Sequence, residues 1–281
     1  MATRPAPPPA PAAPATVQSP KATIPEPFEL DLSEPVTISG SDRIVAYGTG
    51  GIGKSTAAAW MPAPVFFDIE RSTKKLQVRK DMDLYRDASW PMLRSKVAGF
   101  AASPPAGARS LVIDTVTSAE QLAVDHVVAT RRTDKGKRVD SVEGFGWQKG
   151  WQYVYDEFVA LLADLDRVAD SGFNVCLIAH DVSTVFPNPA GEDYPRWEPL
   201  LHAGDKRGRY NVRALLKNWC EHLVYFGYDV HVEEGKAQGS STRSVYTIEL
   251  PTHMAKSRTA QIAEPFTIEN PGAVWQALGI V

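Results

Sequence analysis

Eight consecutive residues, Gly48-Thr49-Gly50-Gly51-Ile52-Gly53-Lys54-Ser55, restrict what this chain can fold into more than any other stretch. They fill every fixed position of the pattern G-x-x-x-x-G-K-[S/T]. The apolar run Arg43 to Tyr47 stands before them, and an alanine-rich run through Ser55 and Thr56 to Trp60 stands after. In a strand, glycine turn and helix of this kind, successive backbone N–H groups turn inward around phosphate oxygens and the helix start adds a positive field. The spacing predicts a phosphate-binding loop from Gly48 to Ser55, with Thr56 one step into the helix. Lys54 reaches the β- and γ-phosphates and the Ser55 hydroxyl ligates Mg²⁺.

The rest of the chain repeats that alternation of short apolar runs and longer amphipathic segments, the sequence form of a parallel sheet with crossover helices. Strands are expected at Arg43 to Tyr47, Val65 to Ile69, Ser110 to Ile113 and Asn174 to Ala179, with a helix from Ser118 to Ala129. The clearest helix is predicted between Trp147 and Ala169, where Trp151, Val154, Tyr155, Phe158, Leu161, Leu162, Leu165 and Val168 recur at steps of three and four. Beyond His180 a long polar loop is expected as far as Tyr210. A short helix over Val212 to Trp219 follows, and then a hairpin of His222 to Val232 with Ser244 to Leu250, turning through Glu234 to Thr242.

Composition narrows the setting. Residues 1–22 hold seven of the 22 prolines and seven alanines, so residues 1–27 are expected to be a disordered tail and residues 28–281 one folded domain. Cys176 and Cys220 form no disulfide framework, and a reducing compartment fits them. No stretch approaches the length of a membrane span. With 30 Lys and Arg against 33 Asp and Glu, the net charge of −3 advertises no global affinity for nucleic acid. Basic clusters are local: Arg71 to Lys80, Arg131 to Arg138, and Lys206 to Lys217.

Hydrolysis needs more than a phosphate cradle. Leu111-Val112-Ile113-Asp114 supplies an apolar strand ending in Asp114, placed to hold the magnesium hydration shell. Val65-Phe66-Phe67-Asp68-Ile69-Glu70 ends in Glu70, the candidate for orienting or deprotonating the attacking water, with Asp68 as its rival on the same strand. His180 ends the strand Asn174 to Ala179, where an imidazole can donate one hydrogen bond to a phosphate and pass another to the following loop.

These motifs, in this order, resemble a RecA-like recombination ATPase, and most of all the small single-domain versions encoded by bacteriophages alongside single-strand annealing proteins. The resemblance covers Ile44 to Phe266. It implies an α/β fold: a RecA-like phosphate-loop NTPase core with a mostly parallel central sheet flanked by helices, plus a C-terminal β-hairpin. It further implies ATP and Mg²⁺ as cofactors, ATP hydrolysis by Glu70, and His180 in the place of the family's γ-phosphate sensor. Lys256 and Arg258, in Ala255-Lys256-Ser257-Arg258 before Ala263-Glu264-Pro265-Phe266, are similar to the paired basic residues that reach a neighbouring subunit's nucleotide. Self-association into a ring or filament follows from that resemblance, as does a cytoplasmic location in a bacterial host. The loop after His180, with Phe186, Tyr194, Trp197, Lys206, Arg207, Arg209 and Tyr210, corresponds to a contact with single-stranded DNA. Arg131 to Arg138 with Lys149 is a second such contact. The expected role is in DNA recombination, repair or replication, with an annealing or replication protein as partner. A hexameric helicase-like motor and a nucleotide-switched loader or scaffold with little turnover are the alternatives.

Overall fold

In the computed structural model, which describes residues 40–189, 191–233, 236–258, 266–267 and 270–281, the apolar run before the glycines becomes β1 (Arg43–Gly48) and the motif leads into α1 (Lys54–Ala58). There follow β2 (Pro64–Asp68), β3 (Arg79–Lys80), α2 (Met82–Arg86), α3 (Trp90–Ala102), β4 (Ser110–Asp114) and α4 (Val116–Thr130). A 3-10 turn at Val142–Phe145 precedes α5 (Lys149–Asp170) and β5 (Asn174–Ala179). The C-terminal part contains β6 (Asp181–Phe186), β7 (Tyr194–Pro199), α6 (Val212–Trp219), β8 (His222–Glu233), β9 (Lys236–Tyr246), β10 (Lys256–Ser257), β11 (Phe266–Thr267) and α7 (Ala273–Ala277). The expected tail and the expected domain start at Phe28 lie outside the described residues, as do residues 263–265 of the segment with the paired basic residues.

Among the described residues, one sheet runs in the order β11-β9-β8-β1-β5-β4-β2-β3, with β10 added to β8. Strands β8, β1, β5, β4, β2 and β3 are parallel, whereas β9, β10 and β11 pair antiparallel. The strand that feeds the glycine loop is thus separated from the strand ending in Asp114 by β5 alone. This mostly parallel mixed sheet flanked by helices is the α/β architecture expected from the motifs.

Both faces of the sheet are covered, so the middles of its central strands are apolar at successive positions rather than at alternate ones. Val45, Leu111, Ile113, Val175 and Leu177 pack with the apolar sides of α3, α4, α5 and α6. Ile44, Ala46, Val112, Cys176 and Ile178 pack with α1 and α7 on the other face, where Trp275 Nε1 donates to the Ala57 carbonyl at 2.6 Å. Phe158, fully buried on α5, packs at a tilt against Trp90 with ring centroids 5.5 Å apart; its truncation to alanine would cost about 3–5 kcal/mol. No helix among the described residues is long and apolar enough to cross a membrane.

Three expectations change. The helix after the glycine loop ends at Ala58 and not at Trp60, because Pro62 and Pro64 follow at once and cannot continue it. The expected loop after His180 begins with the two-stranded sheet β6-β7, paired from Asp181 with Pro199 to Phe186 with Tyr194; Pro195 and Pro199 disguise this strand and sit in a ribbon outside the main sheet, where proline is tolerated. The second hairpin strand is Lys236–Tyr246 rather than Ser244 to Leu250, since a backbone ladder can form through a polar segment without apolar alternation.

Candidate active site

The loop closes tightly around the end of β1. β8 passes so near that a Cβ at Gly48 would lie 2.2 Å from the Phe226 carbonyl oxygen, so no side chain fits there. Gly53 has φ +110° and begins α1, a left-handed geometry that glycine adopts without cost. Ile52 is fully buried and anchors the loop from behind. The Lys54 side chain is buried too, and its Nζ donates to the carbonyls of Gly48 at 2.6 Å and Thr49 at 2.9 Å. Burial lowers the Lys54 pKa, against the pull of the nearby Asp181, Asp114 and Glu70 carboxylates. Gly50, Gly51, Gly53, Lys54, Ser55 and Thr56 line a cleft of about 300 Å³, and Glu70, Asp114 and His180 line it from the other side.

The ends of three neighbouring strands supply those partners. Asp114, at the tip of β4, is buried, and its Oδ2 accepts from Ser55 Oγ at 2.7 Å and from Ser72 Oγ at 2.8 Å. Burial raises its pKa above the usual carboxylate range; the two serine hydroxyls oppose that, and the Asp68 and Glu70 carboxylates add to it. Asp68, the rival to Glu70, is fully buried and accepts from the backbone N–H groups of Ser72 and Thr73 and from the Thr73 hydroxyl. It shapes the segment after β2 and has its acceptors occupied.

Glu70 lies two residues beyond the end of β2, held there because the N–H of Ile69 donates to the Asp114 carbonyl at 2.7 Å. Its carboxylate accepts from the hydroxyls of Thr115 and Ser118 and from His180 Nε2. Burial would raise the Glu70 pKa, but donation from Ser118, Thr115 and His180 outweighs it and holds the carboxyl below its ordinary range. His180 follows β5; its backbone N–H donates to Thr117 Oγ1, which itself donates to the Leu200 carbonyl just past β7. The first turn of α4 therefore touches both the carboxylate in the cleft and the β6-β7 ribbon.

Ser55 and Asp114 present hard oxygen donors beside surplus negative charge, which suits a divalent cation. Among the described residues no group of three or more His, Cys, Asp or Glu could hold a metal by itself. That donor set fits Mg²⁺, which keeps waters and phosphate oxygens as most of its ligands; Ser55 would bind it directly and Asp114 through water.

Two residues singled out in the sequence lie elsewhere. Lys256 and Ser257 pair with Leu223 and His222 at the start of β8, and His222 is in register with Ile44. Ser257 thus stands four positions and Lys256, level with Val45, three positions short of Gly48, about 13 and 10 Å of strand. Lys256 Nζ donates to the carbonyls of Lys217 and Cys220, both at 2.7 Å, at the end of α6. Arg258 is exposed, with 3.4 Å contacts to Glu221 and the Asn218 carbonyl. Neither enters the cleft of its own chain. Conversely, Ser72, Thr115 and Ser118 belong to the site and were not singled out; Thr115 and Ser118 follow Asp114 closely, and that adjacency was the available signal.

Comparison with known proteins gives a family model described as AAA domain that matches residues 41–259. Similar solved structures include a KaiC-like protein from Pyrococcus horikoshii OT3, 13% identical, covering 83% of this chain and 88% of that one, with a TM-score of 0.42. Another is the flagellar accessory protein FlaH from Methanocaldococcus jannaschii, 10% identical, covering 74% of this chain and 78% of that one, with a TM-score of 0.34. No curated protein matches the chain.

Proposed function

The chain belongs to the AAA domain family, and on that premise we propose that it binds ATP with Mg²⁺, hydrolyses it, and couples the cycle to single-stranded DNA as an oligomer in recombination, repair or replication. The observation that carries the reading is the meeting of Lys54, Ser55, Asp114, Glu70 and His180 around one cleft. When bound, Mg²⁺ would neutralise charge on the phosphate oxygens. Lys54 exchanges its carbonyl partners for β- and γ-phosphate oxygens. Glu70, ionised at neutral pH, orients a water and accepts its proton, and His180 donates to the terminal phosphate in exchange for Glu70.

Several observations support the DNA contact. The β6-β7 ribbon that begins directly after His180 exposes Val185, Phe186 and Trp197, and Lys206 and Arg207 are exposed in the loop that follows it. Trp147, fully exposed before α5, stands near Lys149 in sequence and extends a second basic segment. Exposed aromatics among cations suit stacking on bases and neutralising phosphates. In an assembly, Arg258 and Lys256 would reach a neighbour's nucleotide, so turnover would depend on association. An annealing or replication protein remains the proposed partner.

The three donors on Glu70 favour a second reading, a nucleotide-switched scaffold whose basal turnover is slow. ATPase rates of the wild-type chain with increasing single-stranded DNA separate the two. Stimulation at low salt supports the DNA-coupled enzyme. A slow rate indifferent to DNA at every protein concentration overturns it in favour of the switch.

A further inference from the structure

We propose that Arg243 is a phosphate ligand for the bound nucleotide, contributed by the same chain from outside the glycine motif and directed at the α- and β-phosphates. The proposal rests on the reading that a nucleotide occupies the cleft. β8 pairs with β1 only as far as Phe226 opposite Gly48, then continues with β9 past the end of the central strand. Arg243 sits on β9 opposite Tyr228, two residues beyond that last pair. The overhanging arm therefore carries an arginine to the level of the glycine loop.

The side chain arrives at one identifiable place. A Cβ built on Gly53 would lie 3.3 Å from Arg243 Nη1. Gly53 lines the cleft and immediately precedes Lys54. Arg243 is exposed, and among the described residues no carboxylate or carbonyl is paired with its guanidinium. An exposed cation beside a phosphate-binding loop is suited to an anion from solution.

Sheet order tells which phosphates it meets. Glu70, Asp114 and His180 follow β2, β4 and β5, all on one side of β1, whereas Arg243 comes over from β8-β9 on the other. The water-activating groups and Arg243 thus flank the loop from opposite sides. Lys54 serves the β- and γ-phosphates, which leaves the oxygens of the non-reacting end for a planar guanidinium able to bind two at once. A ligand at that end recognises diphosphate and triphosphate alike.

Calorimetric titration of the full-length protein with Mg-ATP and Mg-ADP tests this, using wild type, Arg243→Gln, Arg243→Lys and Lys54→Ala. Arg243→Gln should weaken both nucleotides about tenfold, the scale of one charge-assisted hydrogen bond, and Arg243→Lys should recover part of the loss. Unchanged thermal unfolding of Arg243→Gln shows that the loss is local. If Arg243→Gln binds both nucleotides as wild type does while Lys54→Ala has lost them, the proposal fails and the nucleotide site stands. A loss confined to Mg-ATP overturns the assignment to the α- and β-phosphates. Wild type that binds neither nucleotide overturns the occupied cleft itself, and this proposal with it.

Discussion

His180 Nε2 lies 3.0 and 3.1 Å from the two carboxylate oxygens of Glu70, although the residues are far apart in sequence. Parallel neighbours β2, β4 and β5 bring the two strand ends together. The imidazole holds the same carboxylate that is proposed to act on water, so phosphate and carboxylate compete for one donor.

Glu70→Gln is expected to retain Mg-ATP affinity and lose turnover by roughly 10²- to 10⁴-fold, the usual range for a positioned general base. His180→Ala frees the carboxylate but removes the donor to phosphate, so it should narrow the difference between DNA-free and DNA-stimulated rates. Steady-state ATPase assays beside equilibrium nucleotide binding check both.

Thr115 and Ser118 help hold the Glu70 pKa down against burial. The active form is the carboxylate, so a depressed pKa extends activity toward acid. Thr115→Val with Ser118→Ala removes two of its hydroxyl donors and should move the acid limb of the pH-rate profile to higher pH. An unmoved limb would mean that another group governs it.

Asp114 is a carboxylate kept in a buried place that raises its pKa. Asp114→Asn keeps an acceptor for Ser55 and Ser72 while removing the charge. We expect the variant to gain about 1 kcal/mol in stability without nucleotide, as functional-site charges often cost stability, and to lose magnesium-dependent turnover. Urea unfolding and a Mg²⁺ titration of ATPase rate read the two effects. Ser55→Ala should lessen the difference in ATP affinity between Mg²⁺ and EDTA solutions.

Glu120 accepts from the His202 N–H at 2.9 Å, and burial raises its pKa from 4.5 to about 7, against the His202 N–H and Arg213. A folded-state pKa above the unfolded one means that the native state binds more protons between those values. This contribution is full below pH 4.5 and is lost as pH rises through about 7; its size is at most about 3 kcal/mol. Burial lowers the pKa of His202 itself, which acts in the opposite sense, so the comparison must be with Glu120→Gln. Thermal unfolding from pH 4.5 to 8 should show the variant gaining on wild type as pH rises.

The glycine loop, Asp114 and the long α5 were legible because each depends on local pattern: a fixed spacing, an apolar strand tip, or apolar steps of three and four. The contact of Glu70 with His180 was not, because it depends on which strands are neighbours. The β6-β7 ribbon was hidden by its prolines. The overhanging part of β9 was hidden by its polar composition, and with it the position of Arg243. Helix α3 went unassigned although Trp90, Leu93, Val97 and Phe100 are buried along one side of it; its Pro91 lies in the first turn, where a helix tolerates it.

The near contact of Phe226 with Gly48 also bears on modularity. A fragment ending after Trp219 would carry the entire glycine motif, Glu70, Asp114 and His180, yet it would lack the wall against which that loop is moulded. The nucleotide cradle of this chain is therefore not a detachable cassette at the N-terminal side but a product of strands from both halves of the molecule.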